Sequence, residues 1–342
     1  MATMKQIAEL AGVSRGTVDR VLNHRGVVNE ETAKKVLEIA STLNYTPSKA
    51  ARSLAVMKRN LKLCYIMWDP ASNPFFHQVQ EGARQAAEEL SGYGVTVEFL
   101  FSHFGSPEDQ NALLDKAVAG GASGIAFAGI NAPSTAEKIR QIQASGIPVV
   151  TANSDITGCD SLAFVGSDPV KGGEVAAAII RMLTQGKARV GVIIGSRNAL
   201  CHVERVSGFR KNIEQYAPGI EIVETIENLD EDFESFAVTR TLLEKHPDID
   251  TLFLTGAGVY GACRAVESAK LPKPPYVVCY DCTEDTQVML KKGVIDASIC
   301  QQPEIQGAKP LEILFDYIGL GMEPEKRNYY TKAEILVRES LE

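Results

Sequence analysis

Apolar residues follow two different patterns along the chain. Up to about residue 60 they recur at intervals of three and four, which is typical of short amphipathic helices. From Leu61 onward, short apolar runs alternate with amphipathic stretches of 12–18 residues. This alternation predicts βαβ units and a doubly wound parallel sheet. The sequence therefore predicts an all-α head followed by an α/β body.

The head opens with a predicted helix-turn-helix. The first helix is expected over residues 4–10, Gly12 favours a turn with positive φ, and Ser14 caps a second helix that ends near Asn23. A third helix is expected over about 30–43. Its core-facing residues are predicted to be Val36, Leu37, Ile39, Ala40 and Leu43.

The start of the second predicted helix faces outward, where such a helix reaches base edges in a major groove. The predicted DNA contacts there are Ser14, Arg15, Gly16, Thr17, Arg20 and Asn23. Residues 1–60 carry a net charge of +5, whereas the other 282 residues carry −13. A basic head on an acidic body favours contact with phosphates. A small helical bundle for protein contacts is the alternative.

Ten apolar runs in the body predict buried parallel strands. They lie at 61–68, 95–101, 124–128, 147–151, 162–165, 190–194, 220–225, 251–255, 276–280 and 297–300. Because ten strands are many for one open sheet, two side-by-side α/β subdomains are expected. No helical pattern separates the runs at Ile147 and Leu162, and this direct link is where the residues alone place the passage between subdomains.

Polar and aromatic residues follow several of these runs. Ligands of open α/β sheets bind beyond the carboxyl ends of the strands. The strand-end residues include Asn73, Phe75, Phe76, Asn153, Ser154, Asp168, Asp281 and Gln301. Amides and carboxylates for hydroxyl groups, with aromatic faces for C–H groups, suit a sugar. For Asn73, Asp168 and Asp281 the alternative role is a helix N-cap.

A glycine motif supports a different interpretation of the body. The predicted strand at 251–255 leads into Gly256, Gly258 and Gly261 with GxGxxG spacing, and Asp281 ends the next strand 20 residues after Gly261. By spacing this is a dinucleotide fingerprint, which predicts an NAD(P)-binding enzyme or an NAD-sensing regulator. The same turn also suits close packing of helix on strand without a ligand.

Composition disfavours several other classes. The seven cysteines are scattered and odd in number, which is typical of a reducing compartment. Cys279 and Cys282 have CxxC spacing, but no second pair or histidine completes a zinc site. Neither a secretory leader nor a membrane-spanning run is apparent, so a cytoplasmic location is expected. No catalytic constellation stands out, and we expect no enzyme activity, metal or cofactor.

The chain resembles the lactose/galactose repressor family over nearly all of its length. The matching head motifs lie at residues 7–14, 17–18, 20–23, 43–47 and 50–55. In the body, residues 73–76, 147–150, 166–168, 204–205, 277–281 and 301–303 are closest to the ribose-type periplasmic binding proteins.

The resemblance implies a division of the chain into a helix-turn-helix headpiece, a hinge helix with its linker and a ligand-binding core. The implied bounds are 1–47, 48–60 and 61–342. The core is implied to contain two doubly wound parallel α/β subdomains of the periplasmic-binding-protein type I kind. Their bounds are implied at about 61–166 with 301–327, and at about 167–300 with 328–342.

The resemblance also implies a function. It implies a transcriptional repressor that binds a pseudo-palindromic double-stranded operator as a homodimer or a tetramer, with Ala51 and Leu54 of the hinge at the minor groove. The implied ligand contacts are Asn73, Phe75, Phe76, Asn153, Asp168, Arg205, Asp281 and Gln301. Asn153, Ser154 and Gly256 depart from the family pattern, which leaves the effector as a monosaccharide or polyol that controls operator affinity.

Overall fold

The computed structural model describes residues 4–22, 28–43, 57, 59–103 and 106–341. Asn23, Ala51 and Leu54, with most of the implied 48–60 hinge, lie outside the described residues. The chain divides into two compact units, Met1–Arg59 and Asn60–Glu342, which we call the head and the core.

The described residues of the head form three helices around a small apolar centre. They are α1 (Met4–Ala11), α2 (Arg15–Leu22) and α3 (Glu30–Thr42). Their buried residues are Ile7, Ala8, Ala11, Val18, Val21, Val36 and Ala40. The prediction that Leu37 joins this centre was wrong, because Leu37 is 47% exposed. At 100° per residue it lies to one side of the stripe that Val36 and Ala40 form.

The turn between α1 and α2 has the predicted form. Gly12 has φ +73°, which is the left-handed region that glycine enters without steric cost. The amide N–H of Thr17 donates a hydrogen bond to Ser14 Oγ at 3.1 Å, so Ser14 caps the start of α2. The turn and the cap together fix where α2 begins.

The two glycines at this turn should respond to alanine with opposite signs. Gly12→Ala forces a Cβ into the left-handed region and should destabilise the head by about 1–2 kcal/mol. Gly16→Ala adds a better helix former inside α2, where the new Cβ meets only Ser14 Oγ at 3.7 Å, and should stabilise the head by about 0.5–1 kcal/mol. Hydrogen exchange of the α1 and α2 amides in the full chain measures both, and equal shifts of one sign would contradict this account.

The core alternates strands and helices along the chain. Its strands are β1 (Lys62–Trp68), β2 (Thr96–Ser102), β3 (Gly124–Phe127), β4 (Val149–Ala152), β5 (Ala163–Ser167), β6 (Lys187–Ile194), β7 (Gly219–Glu227), β8 (Thr251–Leu254), β9 (Tyr276–Tyr280), β10 (Ala297–Cys300), β11 (Asn328–Thr331) and β12 (Glu334–Leu336). Its helices are α4 (Phe75–Ser91), α5 (Pro107–Ala119), α6 (Pro133–Ala144), α7 (Pro169–Thr184), α8 (Leu200–Tyr216), α9 (Asp232–Lys245), α10 (Val259–Ala269), α11 (Glu284–Lys292) and α12 (Pro303–Leu320).

The strands form two six-stranded sheets, and each sheet is the centre of one lobe. The first sheet has the order β11-β5-β4-β3-β1-β2, and the second has the order β12-β10-β9-β8-β6-β7. All pairs are parallel except β10 with β12. The ten predicted runs correspond to β1–β10, so the prediction of two doubly wound α/β units is confirmed.

Two sequence-based boundaries need correction. β4 and β5 are adjacent strands of one sheet, with Val150 opposite Ala163, so the passage between lobes does not lie there. The ten residues between these parallel strands make the crossover without a helix. β11 pairs with β5 in the first sheet, so the implied boundary at 327/328 falls before a strand of the first lobe. The chain therefore crosses between lobes after β5, after β10 and after β11.

Close helix crossings position one wall of the second lobe. A Cβ at Gly173 of α7 would lie 2.0 Å from the carbonyl oxygen of Arg205 on α8, and a Cβ at Gly208 would meet a carbonyl oxygen of α7 at 2.1 Å. The first lobe has the same arrangement between α4 and α12, at Gly82 and Gly307. Only glycine fits at this helix separation, which brings Arg205 deep into the lobe.

Candidate functional site

A cleft lies between the two lobes of the core, beyond the carboxyl ends of both sheets. It consists of a first cavity of about 240 Å³ and an adjoining second cavity of about 220 Å³. Both cavities are lined by Asn73, which follows β1, and by Asp230, which follows β7. The cleft therefore has the position at which open α/β sheets bind ligands.

The first lobe contributes amides and aromatic rings to the cleft. Asn73 Oδ1 accepts a hydrogen bond from the amide N–H of Phe75 at 3.1 Å. The rings of Phe75 and Phe76 meet edge to face at 5.3 Å, and they line the second and first cavities respectively. Asn153 lines the first cavity, and its Nδ2 donates to Gln306 Oε1 at 3.3 Å. These four predicted residues share one wall.

Arg205 lies behind the wall of the second lobe and is only 2% exposed. Its terminal nitrogens donate to the Thr255 carbonyl at 2.6 Å and to Gln301 Oε1. Its guanidinium lies 3.8 Å from the centre of the Tyr280 ring. Arg205 and Gln301 are both absent from the described residues that line either cavity. Arg205 therefore supports the wall through Tyr280, and the two predicted ligand contacts at Arg205 and Gln301 do not lie in the wall itself.

Gln301 joins residues of both lobes where the chain crosses after β10. Its Oε1 accepts hydrogen bonds from Arg205 and from the Ser167 hydroxyl at 2.7 Å, and its Nε2 donates to Asp281 Oδ1 at 2.5 Å. Burial raises the pKa of the Asp281 carboxyl, and the Arg205 guanidinium opposes this increase. Asp281 lines the second cavity, so the network connects the cleft to a crossing between lobes.

Asp168 does not join the other predicted ligand residues. Its Oδ1 accepts a hydrogen bond from the amide N–H of Lys171 at 3.0 Å, and it is the N-cap of α7. It is absent from the described lining of both cavities. The predicted ligand contact is therefore corrected to a helix cap, the alternative that the sequence had left open.

Sequence reasoning missed His202 and Asp230, which line the first cavity and are 8% and 7% exposed. The amide N–H of Ala257 donates to Asp230 Oδ1 at 2.8 Å, and that of Ser196 donates to His202 Nδ1 at 2.9 Å. Burial lowers the pKa of the imidazole and the Asp230 carboxylate raises it, with a net increase. Extending the strand-end search to β7 would have found Asp230.

The glycine motif has a packing role at each position. Gly258 has φ +79° at the start of α10, and a Cβ at Gly261 would lie 1.9 Å from a carbonyl oxygen of α9. A Cβ at Gly256 would lie 2.4 Å from Asp230 Oδ1. The Ala257 amide, which a pyrophosphate would need, already donates to the Asp230 carboxylate. The dinucleotide interpretation is not supported.

The CxxC pair is not an exposed site. Cys279 is fully buried in β9, and Cys282 is half-buried. Within the described ranges, no group of three or more His, Cys, Asp or Glu is placed to hold a metal ion. In the same part of the chain, no helix is long and apolar enough to cross a bilayer.

The start of α2 presents an ordered polar surface. Ser14, Arg15, Gly16 and Arg20 are exposed and Thr17 is partly exposed. The hydroxyls of Ser14 and Thr17 lie 2.9 Å apart. Arg20 Nε donates to the Gly16 carbonyl at 3.2 Å, and a terminal nitrogen of Arg20 donates to the Thr17 hydroxyl at 3.4 Å. The described DNA-contact candidates therefore form one surface.

Two family models match this chain in the expected places. The model described as bacterial regulatory proteins, lacI family, matches residues 3–48, and the model described as a periplasmic binding protein domain matches residues 64–321. The first match contains the helix-turn-helix, and the second contains both sheets apart from β11, β12 and the first residues of β1.

Similar proteins cover the same two parts. The chain is 26% identical to the HTH-type transcriptional regulator CelR of Thermobifida fusca, over 99% of this chain and 98% of that one. It is 31% identical to the ribose operon repressor of Bacillus subtilis, over 73% and 71%. Among solved structures, the glucose-galactose binding protein GanP of Geobacillus stearothermophilus matches with a TM-score of 0.76 and 27% identity, over 82% of this chain and 99% of GanP.

Proposed function

Since this chain belongs to the lacI family of bacterial regulatory proteins and contains a periplasmic binding protein domain, we propose that it is a transcriptional repressor whose operator affinity is set by a monosaccharide or polyol bound in the cleft. The observation that carries the proposal is a two-lobed polar cleft with aromatic walls in the same chain as a helix-turn-helix with an exposed basic start to α2. A regulator of this kind acts on DNA in the cytoplasm, which is the location that we propose.

The cleft suits a sugar because both lobes supply hydrogen-bonding groups. Asn73 and Asn153 come from the first lobe, and Asp230 and Asp281 come from the second. Amides and carboxylates can each bind two hydroxyl groups, and the rings beside them can cover C–H faces. Relatives named as a ribose operon repressor and a glucose-galactose binding protein support a sugar as the ligand class.

A ligand that touches both lobes stabilises the closed arrangement of the cleft. The chain crosses between the lobes three times, and one crossing contains the Ser167–Gln301–Asp281 hydrogen bonds. Closure of the cleft therefore changes the relative orientation of the two lobes at these crossings. One headpiece contacts few base pairs, so we propose that a homodimer binds a pseudo-palindromic operator. We further propose that the orientation of the lobes in each core determines how the two headpieces are placed on this operator.

The test is a measurement of linkage between operator and sugar. A preferred duplex is first selected from a random pool, and its affinity for the full chain is measured by fluorescence anisotropy at fixed salt with and without a panel of pentoses, hexoses and inositols. The effective sugar should change operator affinity by about 5- to 150-fold, and the operator should change sugar affinity by the same factor. Absence of any preferred duplex, or a preferred duplex that no sugar affects, would overturn the proposal.

A further inference from the structure

The His202 and Asp230 side chains fill space that two glycines leave open at the ends of strands. A Cβ at Gly195, after β6, would lie 2.0 Å from Asp230 Oδ1 and 2.6 Å from the His202 ring. A Cβ at Gly256, after β8, would lie 2.4 Å and 2.8 Å from the same two groups. Any other residue at either glycine would displace the pair, so the backbone of the second lobe is shaped to seat this imidazole and this carboxylate.

Backbone amides hold the pair from one side. Asp230 Oδ1 accepts from the Ala257 N–H, and His202 Nδ1 accepts from the Ser196 N–H. Asp230 Oδ2 lies 3.9 Å from His202 Nδ1, which is too far for a hydrogen bond between them. A carboxylate that is more than nine-tenths buried is costly unless its oxygens receive donors. A donor on a ligand in the first cavity can satisfy Oδ2.

The cleft is acidic. Five carboxylate residues line the second cavity, namely Asp230, Glu231, Asp232, Asp281 and Asp285. Among the described residues that line the two cavities, none is a lysine or an arginine, and the one histidine, His202, lies beside the Asp230 carboxylate, which raises its pKa. The charge of Arg205, behind the wall, is opposed by the Asp281 carboxylate, and its terminal nitrogens donate to Thr255 and Gln301. An anionic ligand would therefore meet like charges in a partly buried space, where solvent screens repulsion less.

We propose that the His202–Asp230 pair determines which effector binds, and that the effector is a polyhydroxylated ring without an anionic group that donates a hydroxyl or ammonium hydrogen bond to Asp230. Sugar phosphates and uronic acids are thereby excluded. This inference rests on the proposed function and deepens it, because it specifies the charge class of the effector and names Asp230 as the residue that recognises it.

Calorimetry with the full chain tests the inference. The probes are neutral hexoses, pentoses and inositols, their amino-substituted forms, their phosphate esters and the uronic acids. The best neutral or amino-substituted probe should bind at least about 100-fold more tightly than its own phosphate or uronate, a comparison that needs no variant. Asp230→Asn keeps an oxygen for the Ala257 N–H but replaces Oδ2 with an amide nitrogen, which is a hydrogen-bond donor. We expect it to lower the affinity for that probe by about 10- to 100-fold.

Glu214→Gln is the matched control, because it removes the same charge from an exposed residue of the helix that holds His202 and lines neither cavity. We expect it to change the affinity of the probe by less than about threefold. Equal losses in both variants, unchanged binding in Asp230→Asn, or anionic probes that bind as well as neutral ones would overturn this inference alone. If no probe binds and none alters operator affinity, the proposed function fails as well.

Discussion

Replacement of Arg205 by alanine should lower the free energy of unfolding of the core by about 3–5 kcal/mol, as expected when one partner of a buried charged network is removed. The substitution deletes the cation that opposes the buried charge of Asp281. It also leaves the Thr255 carbonyl and the Gln301 amide oxygen without this donor and takes the guanidinium away from the Tyr280 ring. Because Tyr280 and Asp281 line the second cavity, the response to the effector should be lost too.

Trp68 makes this measurement selective. It is the chain's single tryptophan and lies in the wall of the first cavity, so its fluorescence during urea unfolding reports on the core rather than the head. Arg210→Ala is the control, since Arg210 is an exposed arginine on the same helix, and it should change stability by less than about 0.5 kcal/mol. If Arg205→Ala were as stable as Arg210→Ala and bound the effector normally, the supporting role assigned to Arg205 would be wrong.

Arg205 also illustrates how far the sequence could predict the site. The family resemblance identified Arg205 as a candidate ligand contact, but a sequence motif does not show how deeply a side chain is buried. Its depth follows from the close crossing at Gly173 and Gly208, and its partner Gln301 is 96 residues away in the chain. The strand-end rule placed Asn73 and Asn153 correctly at the cleft because it depends only on topology. It failed for Asp168, where a helix begins directly after the strand and uses the carboxylate as its cap.

The fold was predictable where strands are fully buried. β3, β4 and β8 are buried at every position, and such strands appear as continuous apolar runs. β11 and β12 have only four and three residues, and none of these is buried, so no apolar run marks them. Because β11 belongs to the first sheet and β12 to the second, the last crossing between the lobes lies after Thr331. The boundary was therefore missed because edge strands can be short and polar.

Replacement of Arg15 by alanine should weaken binding to the preferred operator by about 5- to 150-fold, the range for loss of one good base contact. Arg15 is exposed in the first turn of α2, beside the hydrogen-bonded hydroxyls of Ser14 and Thr17, which hold this end of the helix in one geometry. Gly16 has no side chain that could contact a base, so we expect base discrimination at this end to depend on Arg15. Arg20, by contrast, already donates to the Gly16 carbonyl in the described structure.

Lys34→Ala separates base recognition from charge. Lys34 is exposed on α3, so its removal costs the head the same single positive charge from a different helix. A phosphate contact contributes equally to all sequences, whereas a base contact contributes only to the correct one. Anisotropy titrations of the preferred duplex and a scrambled duplex at the same salt should therefore show a fall in their affinity ratio for Arg15→Ala and an unchanged ratio for Lys34→Ala. A ratio unchanged in both variants would mean that Arg15 contributes only charge, and that the sequence is recognised by other residues of the head.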